Sequence, residues 1–162
     1  MNSNSFEIAN LLVNSGVKLD SQNFLKETSI SIACTSGNSK IVKLLIETNA
    51  SLNIQDQKGF TPLHCAVMKN KADIVQMLIE TDRCHLNIKN RNGKTPLDLA
   101  FENNLLEIAQ MISNKMSQLL QNKEHQLWTH FSSNKVSAIS VRHGKSNCKV
   151  TSQSIFLAEN MC

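Results

Sequence analysis

The chain has 162 residues, of which 41 % are hydrophobic, 19 % charged and only 4 % aromatic, with a formal net charge of +4. That length fits one domain, and apolar runs of only a few residues exclude a membrane-spanning helix. Five basic and two acidic residues lie from Lys123 onward, so the preceding residues are near neutral and lack the basic stripe that nucleic acid binding requires.

The opening residues Met1-Asn2-Ser3-Asn4-Ser5 have no basic start leading into an apolar stretch, so no secretory signal is expected. Glu7-Ile8-Ala9-Asn10-Leu11-Leu12-Val13 then sets out an apolar stripe at helical spacing. The same pattern returns as Lys40-Ile41-Val42-Lys43-Leu44-Leu45-Ile46-Glu47, as Asp73-Ile74-Val75-Gln76-Met77-Leu78-Ile79-Glu80 and as Glu107-Ile108-Ala109-Gln110-Met111-Ile112. A second kind of helix precedes three of these. Thr61-Pro62-Leu63-His64-Cys65-Ala66 recurs as Thr95-Pro96-Leu97-Asp98-Leu99-Ala100, with a weaker copy at Thr28-Ser29-Ile30-Ser31-Ile32-Ala33. Thr61 and Thr95 suit the N-cap, where the hydroxyl accepts from an orphan amide of the first turn. Pro62 and Pro96 suit the next position, where no donor is needed. Leu63 and Ala66 share one face. His64 is expected to bond near the Thr cap or to the adjacent unit, and Asp98 in its place suits the helix dipole.

Between units run Leu52-Asn53-Ile54-Gln55-Asp56-Gln57-Lys58-Gly59 and Leu86-Asn87-Ile88-Lys89-Asn90-Arg91-Asn92-Gly93. Their last four residues are turn chemistry, with Gly59 and Gly93 expected at positive φ. Thr81-Asp82-Arg83-Cys84-His85 is one residue longer than Thr48-Asn49-Ala50-Ser51, an insertion that a surface loop tolerates.

A fixed period of this length marks a stacked repeat array. The Thr-Pro-Leu-His-x-Ala pattern and the paired helices resemble the ankyrin repeat. The resemblance implies an all-α solenoid of helix-turn-helix units joined by β-turn or hairpin loops. Residues 1–22 then form an N-terminal half repeat, 23–55 a degenerate first repeat, and 56–89 the second. Residues 90–122 form the third, with an extended last helix. In the first repeat Lys26 stands at the turn Gly position and Ser29 at the Pro position. Residues 123–162 match no motif and are expected to be a largely disordered tail. A helical pattern runs on through Met116, Leu119 and Leu120 as far as Trp128, and Ile155-Phe156-Leu157-Ala158 is a short apolar patch.

The five Cys (Cys34, Cys65, Cys84, Cys148 and Cys162) form no CxxC pair. Free thiols point to a reducing compartment, so an intracellular site, cytoplasmic or nuclear, is expected. The Cys84-His85 and His64-Cys65 pairs match no zinc spacing, and neither metal nor cofactor is expected.

In ankyrin proteins the turn tips and first helices line a concave face that binds other proteins. The resemblance places Gln57, Lys58, Phe60, Met68 and Lys69 of the second repeat on that face. Arg91, Asn92, Lys94, Glu102 and Asn103 follow from the third, and Phe24, Leu25, Glu27, Thr35 and Ser36 from the first. Phe60 and Met68 flanked by lysines suit a hot spot with a charged rim, or else pack against neighbouring turns and helices. The basic residues lean toward an acidic partner segment. Asn53, after aliphatic Leu52, resembles the position that an asparaginyl hydroxylase accepts in such repeats, although an Asn there also bonds turn backbone. The leading expectation is a non-enzymatic interaction module acting as scaffold, adaptor or inhibitor, without nucleic-acid or membrane partners. The alternatives are a truncated fragment competing with a longer parent, or an effector whose active site uses Cys148, His125, His130 and His143 of the tail.

Overall fold

A computed structural model describes residues 3–139, with side chains described over 6–122. Its elements are seven helices in sequence order: α1 (Ser3–Asn14), α2 (Ser29–Ser36), α3 (Ser39–Glu47), α4 (Pro62–Met68), α5 (Ala72–Glu80), α6 (Pro96–Glu102) and α7 (Leu106–Ile139). No strand occurs among the described residues. The chain divides by its contacts into Met1–Asn122 and Lys123–Cys162. The helical pattern beyond Ile112 continues in α7, past Trp128 to Ile139. His125 and His130 lie on α7 at positions whose side chains are outside the described residues, as are His143, Cys148 and the Ile155–Ala158 patch.

The first and second full repeats within Met1–Asn122 are helical hairpins, α2 with α3 and α4 with α5, and like packs on like. The first helices α2, α4 and α6 stack in order, and so do the second helices α1, α3 and α5. Local chemistry starts each first helix. Thr28, Thr61 and Thr95 take extended backbone at the N-cap, and their hydroxyls accept from the amides of Ser31, His64 and Asp98. The residue three positions on returns a bond to the cap, and its chemistry differs in every unit. His64 Nδ1 accepts from the Thr61 amide at 3.1 Å, Asp98 Oδ2 accepts from the Thr95 amide at 2.8 Å, and the Ser31 and Thr28 hydroxyls pair at 3.1 Å. His64 also reaches forward, its Nε2 lying 3.2 Å from the Lys94 carbonyl. It therefore joins the second unit to the third as well as closing its own helix. With Nδ1 accepting from a backbone amide, the ring is the neutral tautomer that carries its proton on Nε2.

The core lies between the two helical layers. Leu63, Ala66, Val67, Ile74, Val75 and Leu78 are fully buried, and Ile108, Ala109 and Ile112 of α7 join the same cluster. Met116 and Leu119 pack against it as well, whereas Leu120 is exposed. The half unit at the start differs from the rest. Leu12 is 53 % exposed, while its counterparts Leu45 and Leu78 are 3 % and 0 % exposed. The physical reason is coverage: α2 packs on α3 and α4 on α5, and α1 has no such first helix among the described residues.

Candidate functional site

Three Asx side chains build the turn tips. Asp56 Oδ1 accepts from the amides of Lys58 and Phe60, both at 2.8 Å. Asn90 Oδ1 accepts from Asn92 and Lys94 at 2.9 and 3.0 Å, and Asn23 Oδ1 from Leu25 and Glu27 at 2.9 Å each. Each acceptor holds the following residues in a tight loop, with Gly59 (φ +80°), Gly93 (φ +75°) and Lys26 (φ +58°) at the left-handed position. Adjacent turns are tied by backbone. The Gln57 amide donates to the Leu25 carbonyl at 2.9 Å, and the Arg91 amide to the Lys58 carbonyl at 3.2 Å. Gln22 and Gln55 repeat a further tie, their Nε2 groups donating to the carbonyls of Gln55 (3.2 Å) and Lys89 (2.9 Å). The turn tips are therefore a bonded row.

Between this row and the first helices lies a groove of about 210 Å³. The first repeat contributes Leu25, Glu27 and Thr35, and the second contributes Gln57, Lys58, Phe60, Met68 and Lys69. All eight are residues that the family resemblance places on the concave face. Asp56 and Cys65 complete the lining; the sequence showed them only as a turn residue and a core thiol. Phe60 is half-buried, its ring 5.8 Å from that of His64 and tilted by 43°. Met68 is 50 % exposed and does not fill a helix seam. Burial pushes the Cys65 thiol up to about 11, so it stays protonated and contributes a neutral wall at ordinary pH. The Cys34 and Cys84 thiols are also pushed up by burial, Cys84 to about 12.

The remaining expected positions are not part of this lining. In the third repeat, Arg91, Asn92, Glu102 and Asn103 are exposed and Lys94 is half-buried. Lys94 and Glu102 pair with each other, and Asn103 Nδ2 donates to the Leu99 carbonyl at the end of α6. In the first repeat Phe24 is 96 % exposed, and the Ser36 hydroxyl turns back to the Ile32 carbonyl at 2.8 Å. Asn53 has both ends of its side-chain amide bonded, to the Arg83 carbonyl and the His85 amide, each at 2.8 Å.

The arrangement offers a preformed surface that mixes apolar groups with two lysines and two carboxylates. No described helix is long and apolar enough to cross a membrane. A family model described as ankyrin repeats, in three copies, matches residues 1–90 and again 49–123. No curated protein matches the chain.

Proposed function

The chain belongs to the ankyrin-repeat family, and from that premise we propose that it is a non-enzymatic protein-binding module, a scaffold, adaptor or inhibitor, that holds its partner on the concave face. Ankyrin repeats generally mediate protein–protein interaction and are typically non-catalytic. One observation carries the assignment to this face: eight residues from two repeats, on turn tips and first helices, converge on a single groove. The bonded turns and packed helices behind it are already ordered, so association loses little conformational entropy in the array. Arg91, Asn92, Lys94, Glu102 and Asn103 extend the proposed contact surface beyond the groove. Lysines on the groove rim favour a partner that presents an acidic segment. The buried free thiols Cys34 and Cys84 suit a reducing compartment, the cytoplasm or nucleus.

Affinity capture tests this. The wild-type chain is compared with a Phe60→Ala, Met68→Ala, Arg91→Ala variant of equal helicity. The expected result is a specific partner that the variant no longer retains. Equal retention by both would move binding off the concave face.

A further inference from the structure

Four charged side chains surround the groove between the first and second repeats, and two are already engaged in building it. Glu27 Oε2 accepts from Asn23 Nδ2 at 2.9 Å, and the Asp56 carboxylate holds the turn amides. Lys58 and Lys69 enter no ion pair among the described residues. Their ammonium groups therefore keep all their donors for a ligand, while the carboxylates have fewer acceptor sites to offer. Phe60 and Met68 supply apolar wall beside them.

Size narrows the occupant. The volume of about 210 Å³ exceeds the ~150 Å³ cavity that takes up benzene. It falls short of the roughly 300 Å³ at which small-molecule sites begin. One branched aliphatic or aromatic side chain is small enough to fit. Placement narrows it further. Lys58 sits on the turn before α4 and Lys69 caps the far end of that seven-residue helix, so the two cations flank a helix that is itself roughly 10 Å long at ~1.5 Å per residue. An extended segment rises about 3.3 Å per residue, so carboxylates about three residues apart span the same distance.

We propose that this groove is an anchor pocket for one apolar side chain of an extended acidic segment, with carboxylates flanking that side chain and paired to Lys58 and Lys69. The proposal rests on the protein-binding role above and specifies the chemistry of the partner. The apolar residue supplies affinity by leaving water, and the flanking charges select the segment and speed its encounter.

The probe is a displayed library of short random peptides, panned on the immobilised full chain. Enriched peptides are expected to carry Asp or Glu within two residues of an apolar residue. Replacing that apolar residue by Ala should weaken binding about tenfold or more, as for an interface hot spot. A chain carrying Lys58→Glu and Lys69→Glu should enrich Lys- and Arg-flanked peptides instead. If that charge reversal lowers helicity, Lys58→Gln with Lys69→Gln takes its place, and the expected result becomes weaker binding with a flattened salt dependence. Absence of any enrichment, enrichment without an acidic bias, or affinity indifferent to the lysine substitutions would overturn the proposal. Peptides without an acidic bias that still require Phe60 and Met68 would overturn it while leaving the concave-face role intact. Binding that ignores Phe60→Ala and Met68→Ala would overturn both.

Discussion

Asn53 and Arg83 hold each other's loops. The Asn53 side-chain amide donates to the Arg83 carbonyl at 2.8 Å, and the Arg83 guanidinium donates back to the carbonyls of Ile46 (2.8 Å) and Ala50 (3.4 Å). Those carbonyls lie at and just beyond the end of α3, where a cation is also favoured by the helix dipole. The longer Thr81–His85 loop is thus a cross-link between the first and second repeats. Asn53→Ala is expected to cost about 1 kcal/mol, because it removes two hydrogen bonds whose exposed partners, the Arg83 carbonyl and the His85 amide, can turn to water instead. Arg83→Ala should cost less, being exposed. The double variant should cost less than the sum, since one loop carries both sets of bonds. Urea midpoints at unchanged slope measure this, and strictly additive costs would contradict the coupling.

Gly59 and Gly93 have nearly the same φ, +80° and +75°, but different surroundings. A Cβ on Gly59 would lie 2.7 Å from the Arg91 amide nitrogen, in the backbone of the next turn; a Cβ on Gly93 would meet nothing within 4 Å. Gly93→Ala should therefore cost only the left-handed conformation, about 1–2 kcal/mol. Gly59→Ala should cost more, because the bond from the Arg91 amide to the Lys58 carbonyl must give way. Thermal melts of the two variants compare them directly, and equal losses would deny the close approach of the turns.

These cases show what the sequence could and could not disclose. The Thr caps, the prolines and the glycines are local signals, governed by backbone chemistry within a few residues, and they locate α2, α4 and α6. The apolar stripes likewise mark the second helices. The groove positions come from the ankyrin resemblance, carried from repeat to repeat by register, which is why Leu25, Phe60 and Met68 were expected together. The bonds between units were not. The Gln22–Gln55–Lys89 row and the role of the longer loop link residues about thirty positions apart, and spacing along the chain gives no sign of which polar atom meets which carbonyl; a bond from His64 to the adjacent unit was expected, but not that the Lys94 carbonyl would be its partner. The pairing of Lys94 with Glu102 was hidden for a related reason: neighbouring charges on one face can contact a partner or each other.

His64 links stability to pH. Burial holds its imidazole below the ordinary value of 6.5, and its Nδ1 accepts from the Thr61 amide only when deprotonated. Its contribution is present in full above about pH 6.5 and is lost as pH falls through the lower folded-state value, because the unfolded chain takes up the proton first. The wild-type urea midpoint should thus fall on acidification from neutrality. His64→Asn, which retains a neutral acceptor, should start less stable and show a flatter profile. Parallel profiles would contradict the assignment.

Leu12, Leu45 and Leu78 occupy one repeat position at three levels of burial. Leu45→Ala and Leu78→Ala should each cost about 2–5 kcal/mol, the range for fully buried leucines. Leu12→Ala should cost well under half as much, since half of its surface already meets water. Because stability in a short stack sums nearest-neighbour contacts, either inner substitution is expected to unfold neighbouring repeats together. Circular dichroism melts test this, and an equal effect at Leu12 would refute the coverage argument.

Hydrogen–deuterium exchange of the chain with and without its captured partner tests the central claim most directly. The account predicts new protection at the turns 56–60 and 90–94 and on the first helices α2 and α4, with α3 and α5 unchanged. Protection confined to α3 and α5, or to residues beyond 122, would place the partner elsewhere and contradict a concave-face binding module.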